Sequence, residues 1–187
     1  MEHFWKSYNA FPTLLEANNR FTNRKQVFFD LTKLLSRYGN AFGVCLVHTH
    51  CGLLEGEIML EKDDISQPVS VSEAGRYYAE RWLPSGVPYE FTSRPTETPP
   101  EALFNEFKAM TQDAGVLGLY HVGREAVTRV EWTEGRKNMV RDIKDEDWHL
   151  SPVETAWNLG RGDPVTMVCV LLCATATTES GGYYLSK

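Results

Sequence analysis

The 187-residue chain is 42% hydrophobic and 12% aromatic, with a formal net charge of −6 and a pI near 5.4. That length can bury one core and is short for two domains. The acidic balance, with no basic run longer than pairs such as Arg24-Lys25 and Arg136-Lys137, excludes a phosphate-neutralising nucleic-acid surface.

Residues 1–21 are irregular but carry Phe4, Trp5, Tyr8, Phe11 and Phe21, a load that a disordered tail would not have. Thr22-Asn23 opens a helix with Val27, Phe28, Leu31, Leu34, Leu35 and Tyr38 at helical spacing, and Gly39-Asn40 closes it. Phe42 begins an uncharged strand through His50, and Glu57–Glu61 reads as its returning hairpin partner. Ser66–Val71 is expected as an edge strand because of Pro68. Ser72–Leu83 is expected as a helix interrupted by Gly75, Tyr89–Ser93 as a strand, and Pro100–Ala114 as a second clear helix. Val116–Val122 and Ala126–Trp132 are expected to pair as a hairpin. Residues 134–151 are charged, with Trp148 and His149 as anchors. Val153–Trp157 is a short strand, 160–164 a turn, and Val165–Thr177 the most apolar strand. Helices and strands do not alternate as in a parallel sheet. The expected fold is a single α+β domain: a mainly antiparallel, curved or barrel-like sheet of about six to eight strands with two or three helices on it.

Strict alternation puts Val44, Leu46, His48 and His50 on one strand face, so two imidazoles end an apolar row. In the expected hairpin Glu57 returns near His50, with Glu55 in the loop above. Two histidines and a carboxylate suit a divalent metal, zinc or iron, with His48, His50, Glu55 and His121 as ligands. His50, Glu55 and Glu57 are the candidate catalytic set, and a metal-free isomerase, cyclase or lyase would use His48, His50 and Glu57 as acid and base. Trp82, Tyr89, Trp132 and Trp157 are the candidate walls of a pocket for a small hydrophobic molecule. Arg129 and Glu131 share a strand face and read as an ion pair. A third reading is a non-catalytic small-ligand-binding protein whose histidines are incidental.

Other chemistries lack their motifs. Neither G-x-G-x-x-G nor a Walker sequence occurs, so no nucleotide cofactor is expected, and no serine sits in a G-x-S-x-G elbow. Cys45, Cys51, Cys169 and Cys173 lack zinc-site spacing and read as reduced core thiols. With no signal-like start and no apolar run of the ~20 residues a membrane span needs, a cytoplasmic protein off the membrane is expected. Oligomeric state stays open, a homodimer included.

His48-Thr-His50 followed by Glu55 resembles the first motif of cupins. That resemblance, over about fifteen residues, implies a small β-barrel with a metal held by two His, a Glu and a later His, for which His121 would substitute. The glycine after the carboxylate and the second cupin motif are absent. Val47–Cys51 with Glu55–Met59, Arg81–Pro84 with Pro88–Phe91, and Glu131–Asn138 resemble a group of small, functionally uncharacterised proteins from filamentous fungi. This implies a setting in which specialised metabolism would supply ligands. The leading expectation is an enzyme of lyase, isomerase or oxygenase type.

Overall fold

The computed structural model describes residues 4–111, 115–122, 128–142 and 153–159 in full, and the backbone of 167–174. Three helices come first: α1 (Phe4–Asn9), α2 (Leu14–Arg20) and α3 (Arg24–Ser36). Then come β1 (Phe42–Leu46), β2 (Glu57–Lys62), β3 (Ile65–Ser70), β4 (Tyr78–Trp82) and β5 (Pro88–Thr92). After α4 (Glu101–Thr111) follow β6 (Leu117–His121), β7 (Arg129–Glu134), β8 (Lys137–Asp142), β9 (Val153–Leu159) and β10 (Met167–Ala174). Among the described residues no helix is long and apolar enough to cross a membrane.

The ten strands close into a barrel in the order β1-β6-β4-β5-β2-β3-β8-β7-β10-β9, and β9 pairs back to β1. All pairings are antiparallel except β2–β5 and β7–β10. The α+β class and the curved, mainly antiparallel sheet are as expected from the sequence, with more strands. The apolar run from Phe42 is paired on both sides, by β6 and β9, but ends as a strand at Leu46. Within the apolar run Val165–Thr177, residues 167–174 pair with β7 and β9. The rest of that run, the 160–164 turn, Trp148 and His149 lie outside the described residues.

Alternation gives each strand two destinations. Phe42, Val44 and Leu46 of β1 face outward with Leu117, Leu119, Trp157 and Leu159, and there they meet Leu31, Leu34 and Leu35 of α3 and Leu103 and Phe107 of α4. This is the main apolar core, built on the outside of the barrel wall. Cys45 and Val47 face inward, with Met59, Tyr89 and Ala156. α3 is set by its apolar stripe and stops where Gly39 and Asn40 both take positive φ, 65° and 56°.

Several local expectations give way. Within residues 4–21 the chain forms two helices, and α2 starts at a capping box between Thr13 and Glu16, a T-x-x-E signature present in the sequence. The helix over 72–83 does not form: Gly75 sits at φ 64°, and β4 instead pairs with β5 and β6. Neither expected hairpin exists. β1 pairs with β6 and β9 while β2 pairs with β3 and β5, and β6 and β7 are not neighbours. Ten residues separate β1 from β2, which no tight turn spans, so the chain crosses the barrel end instead. β3 is not an edge strand. Pro68 is tolerated because β8 pairs only with Ile65 and Ser66, so no β8 carbonyl needs its missing N–H.

Candidate metal centre inside the barrel

The strand order defines what lies inside. Arg81 on β4 and Glu131 on β7 stand five places apart in the sheet, yet Arg81 Nη2 lies 3.8 Å from Glu131 Oε2. Such a contact must cross the lumen. Arg81 Nε also lies 3.2 Å from Glu90 Oε2 on β5. Glu131 is fully buried and accepts hydrogen bonds from Asn138 Nδ2 at 3.0 Å and Thr155 Oγ1 at 3.3 Å. Side chains from the adjacent β8 and from β9, one strand further on, thus fix its orientation.

His48 and His50 join this group from the segment that follows β1. Their ring centroids are 4.7 Å apart at an interplanar angle of 65°. Because the strand has ended at Leu46, alternation no longer governs them, and both rings reach the lumen although Val44 and Leu46 face the helices. One nitrogen each from His48 and His50 and one Glu131 oxygen lie within 4.8 Å of one another. His48 Nδ1 is 2.8 Å from the Leu46 carbonyl, which makes Nδ1 the protonated donor and leaves the Nε2 lone pair free. Both Nε2 atoms are buried without a hydrogen-bond partner. His50 Nε2 lies 3.5 Å from Glu90 Oε1 but without hydrogen-bond geometry.

The electrostatics follow from burial. Desolvation lowers both histidines to about 4, so both are neutral at pH 7, His48 being lowered further by His50. Glu90 is raised by burial, which outweighs the pull of Arg81. Burial also works on Glu131, but His50, Arg81, His48 and the Asn138 hydrogen bond together bring it below the ordinary range. One guanidinium therefore faces two carboxylates, and the excess negative charge calls for a proton or a cation.

These residues could hold a metal ion. Nitrogen and oxygen donors about 2.1 Å from a tetrahedral ion stand roughly 3.4 Å apart, so a triad whose atoms lie within 4.8 Å would have to contract by up to about 1.4 Å. The Asn138 and Thr155 bonds to Glu131 and the Leu46 bond to His48 are the outer supports such ligands need.

The other sequence candidates are placed elsewhere. Glu55 is exposed in the 47–56 segment. Glu57 is tied to Arg136 of the β7–β8 turn and to the Leu54 amide, because β2 pairs with β3 and β5 and carries it away from His50. His121 shares the outward parity of Leu117 and Leu119 and packs on Phe42, with centroids 6.3 Å apart, so the barrel wall separates it from the lumen. The four aromatic residues do not line one pocket. Trp82 and Trp157 lie on the outer face, against Phe42 and Phe28 respectively. Trp132 alternates outward beside Glu131 and packs under Arg141, and Tyr89 alone points inward, its hydroxyl 3.2 Å from Cys45 Sγ. Arg129 pairs with Asp64 and Asp142 rather than Glu131. Of the cysteines, Cys45 and Cys51 are free, and the side chains of Cys169 and Cys173 lie outside the described residues.

Sequence reasoning missed Glu131 as a ligand, and missed Glu90, Arg81 and Tyr8 altogether as parts of the site. A weak signal existed: carboxylates and an arginine sit within strands otherwise rich in aromatic and β-branched residues. No family model, no curated protein and no solved structure matches the chain.

Proposed function

We propose that the barrel interior binds one divalent transition-metal ion through His48 Nε2, His50 Nε2 and Glu131, and that the chain is a metal-dependent enzyme acting on a small molecule. The observation that carries this reading is the pair of buried, unpartnered Nε2 atoms beside a carboxylate held in place by two donors. Two imidazoles and one carboxylate leave coordination positions open, the arrangement of catalytic zinc or non-haem iron. A metal there would polarise a substrate oxygen or activate water, which suits lyase, isomerase or oxygenase chemistry.

One observation favours a second reading. Glu90 and Glu131 are pushed in opposite directions, the separation that acid/base pairs need, and His50 lies beside Glu90. A metal-free isomerase or cyclase would use these groups to move a proton. Elemental analysis of protein prepared without a histidine tag, before and after chelation, separates the two. Stoichiometric zinc or iron that is lost in both His48→Ala/His50→Ala and Glu131→Gln supports the metal. Protein that neither contains nor is thermally shifted by zinc, iron, manganese or copper refutes it.

A further inference from the structure

The histidine segment is held by the N-terminal residues as well as by the sheet. The Val47 amide still donates to the Val116 carbonyl, and Arg136 of the β7–β8 turn donates to the Gly52 carbonyl, but the backbone groups of Thr49, His50 and Leu53 turn to residues 8–12. The Thr49 amide donates to the Pro12 carbonyl at 3.0 Å. The His50 amide donates to Tyr8 Oη at 3.4 Å, and that hydroxyl in turn donates to Glu90 Oε1 at 3.5 Å. Asn9 bonds Leu53 twice, its Nδ2 donating to the Leu53 carbonyl and its Oδ1 accepting from the Leu53 amide, each at 2.8 Å. Tyr8 is 1% exposed and packs among the inward-facing residues, and Phe11 lies edge-on to Tyr89. Four bonds from one short stretch thus hold the chain between and just beyond the two histidines.

We propose that Tyr8 and Asn9 are positioning residues of the metal centre: residues 8–12 form a strap that fixes His48 and His50 at coordinating distance, and strap docking and metal binding are coupled. This rests on the metal reading above. Free imidazoles on an untethered segment would have to be ordered when the ion binds, and that cost would weaken binding. Supports one step removed from the ligands alter metal affinity by about 10–100-fold. Coupling is reciprocal, so the ion must also tighten the strap.

The test is zinc titration of the full chain by competition with a chromogenic chelator, together with hydrogen exchange on the apo and zinc-loaded protein. Asn9→Ala and Tyr8→Phe are each expected to weaken zinc binding by about ten-fold or more. Asn9→Asp, which keeps the acceptor for the Leu53 amide, should recover part of that loss and serves if Asn9→Ala does not fold. Thr111→Ala, which removes a buried bond to the Phe107 carbonyl within α4, is the control: it should lower Tm without changing zinc affinity. Zinc should slow exchange at the amides of Thr49, His50 and Leu53 in the wild type, and less so in Asn9→Ala. Wild-type affinity in both Asn9→Ala and Tyr8→Phe would overturn the strap. So would an equal loss in Thr111→Ala, which would make the effect one of general stability. A wild-type protein that binds no zinc, iron, manganese or copper would instead remove the metal reading on which the strap rests.

Discussion

Replacing Arg81 by methionine tests whether the lumen is held by its buried charges. The guanidinium is 12% exposed and stands between Glu90 and Glu131, themselves 5% and 0% exposed. Removing it leaves two buried carboxylates with no counter-charge, a change that costs about 3–5 kcal/mol. For a domain of this size that is a fall in Tm on the order of 10 °C. The loss must depend on pH. Without Arg81 both carboxyls lose the charge that lowers them, and Glu90, already raised by burial, rises further, so the folded variant keeps protons that the unfolded chain releases. Stability then declines as pH climbs from the unfolded carboxylate range through the raised folded pKa values. The difference between wild type and Arg81→Met should therefore be small near pH 5 and largest near pH 8, measured by urea denaturation followed by circular dichroism. Zinc should restore part of it, since an ion bound only by the folded state stabilises that state. A difference below about 1 kcal/mol at pH 8, or one of the same size at both pH values, would refute the reasoning.

Three other outcomes follow from the same geometry. His48 and His50 are lowered to about 4, so the unfolded chain takes up protons between its own histidine pKa and about 4; wild-type stability should fall as pH drops through that window, and His48→Phe/His50→Phe should flatten the slope in a denaturation series. Gly118→Ala would place a Cβ 2.7 Å from the Trp82 carbonyl oxygen, and Gly43→Ala one 2.2 Å from the Tyr120 ring; each should cost about 1–3 kcal/mol, and Tyr120→Leu should relieve Gly43→Ala but not Gly118→Ala, because only the ring can be removed. Glu55→Gln and Glu57→Gln should leave zinc binding unchanged, and Glu57→Gln should cost no more than about 1 kcal/mol despite its bridge to the half-exposed Arg136, as thermal melts would show.

What could be read from the sequence was whatever local pattern determines. The apolar stripe of α3 and the uncharged run at Phe42 lead directly to the helix and to β1, and His48 and His50 do meet inside the protein. The reason for that meeting is not the expected one. Parity from Val44 and Leu46 would have sent both rings to the helix side, and it is the end of the strand at Leu46 that frees them. Pairing was the part local pattern could not supply. β8 is charged and β4 resembles a helix because half of each strand faces water or an ionic interior, so neither shows clean apolar alternation. With the pairing wrong, the carboxylate was sought in Glu55 and Glu57, which are near in sequence, rather than in Glu131, 81 residues beyond His50.

The deeper obstacle is that the lumen is populated through bulges. On β4 the register skips Glu80, so Ala79 faces outward with Phe91 while Arg81, two residues on, turns inward. On β5 it skips Tyr89, and so Tyr89 and Glu90, adjacent in sequence, both serve the interior. On β9 it skips Thr155, which lets Thr155 reach Glu131 while Ala156 packs beside Cys45. Each bulge reverses parity at the point where it delivers a polar side chain to the centre. Strict alternation would have turned Arg81 outward and left Glu90 and Glu131 facing each other without a cation. An extra residue leaves a ladder locally unpaired, so three of them converging on one ionic cluster is costly for a barrel that needs only to fold. A barrel that needs two carboxylates, an arginine and two neutral imidazoles at one depth has few other ways to place them.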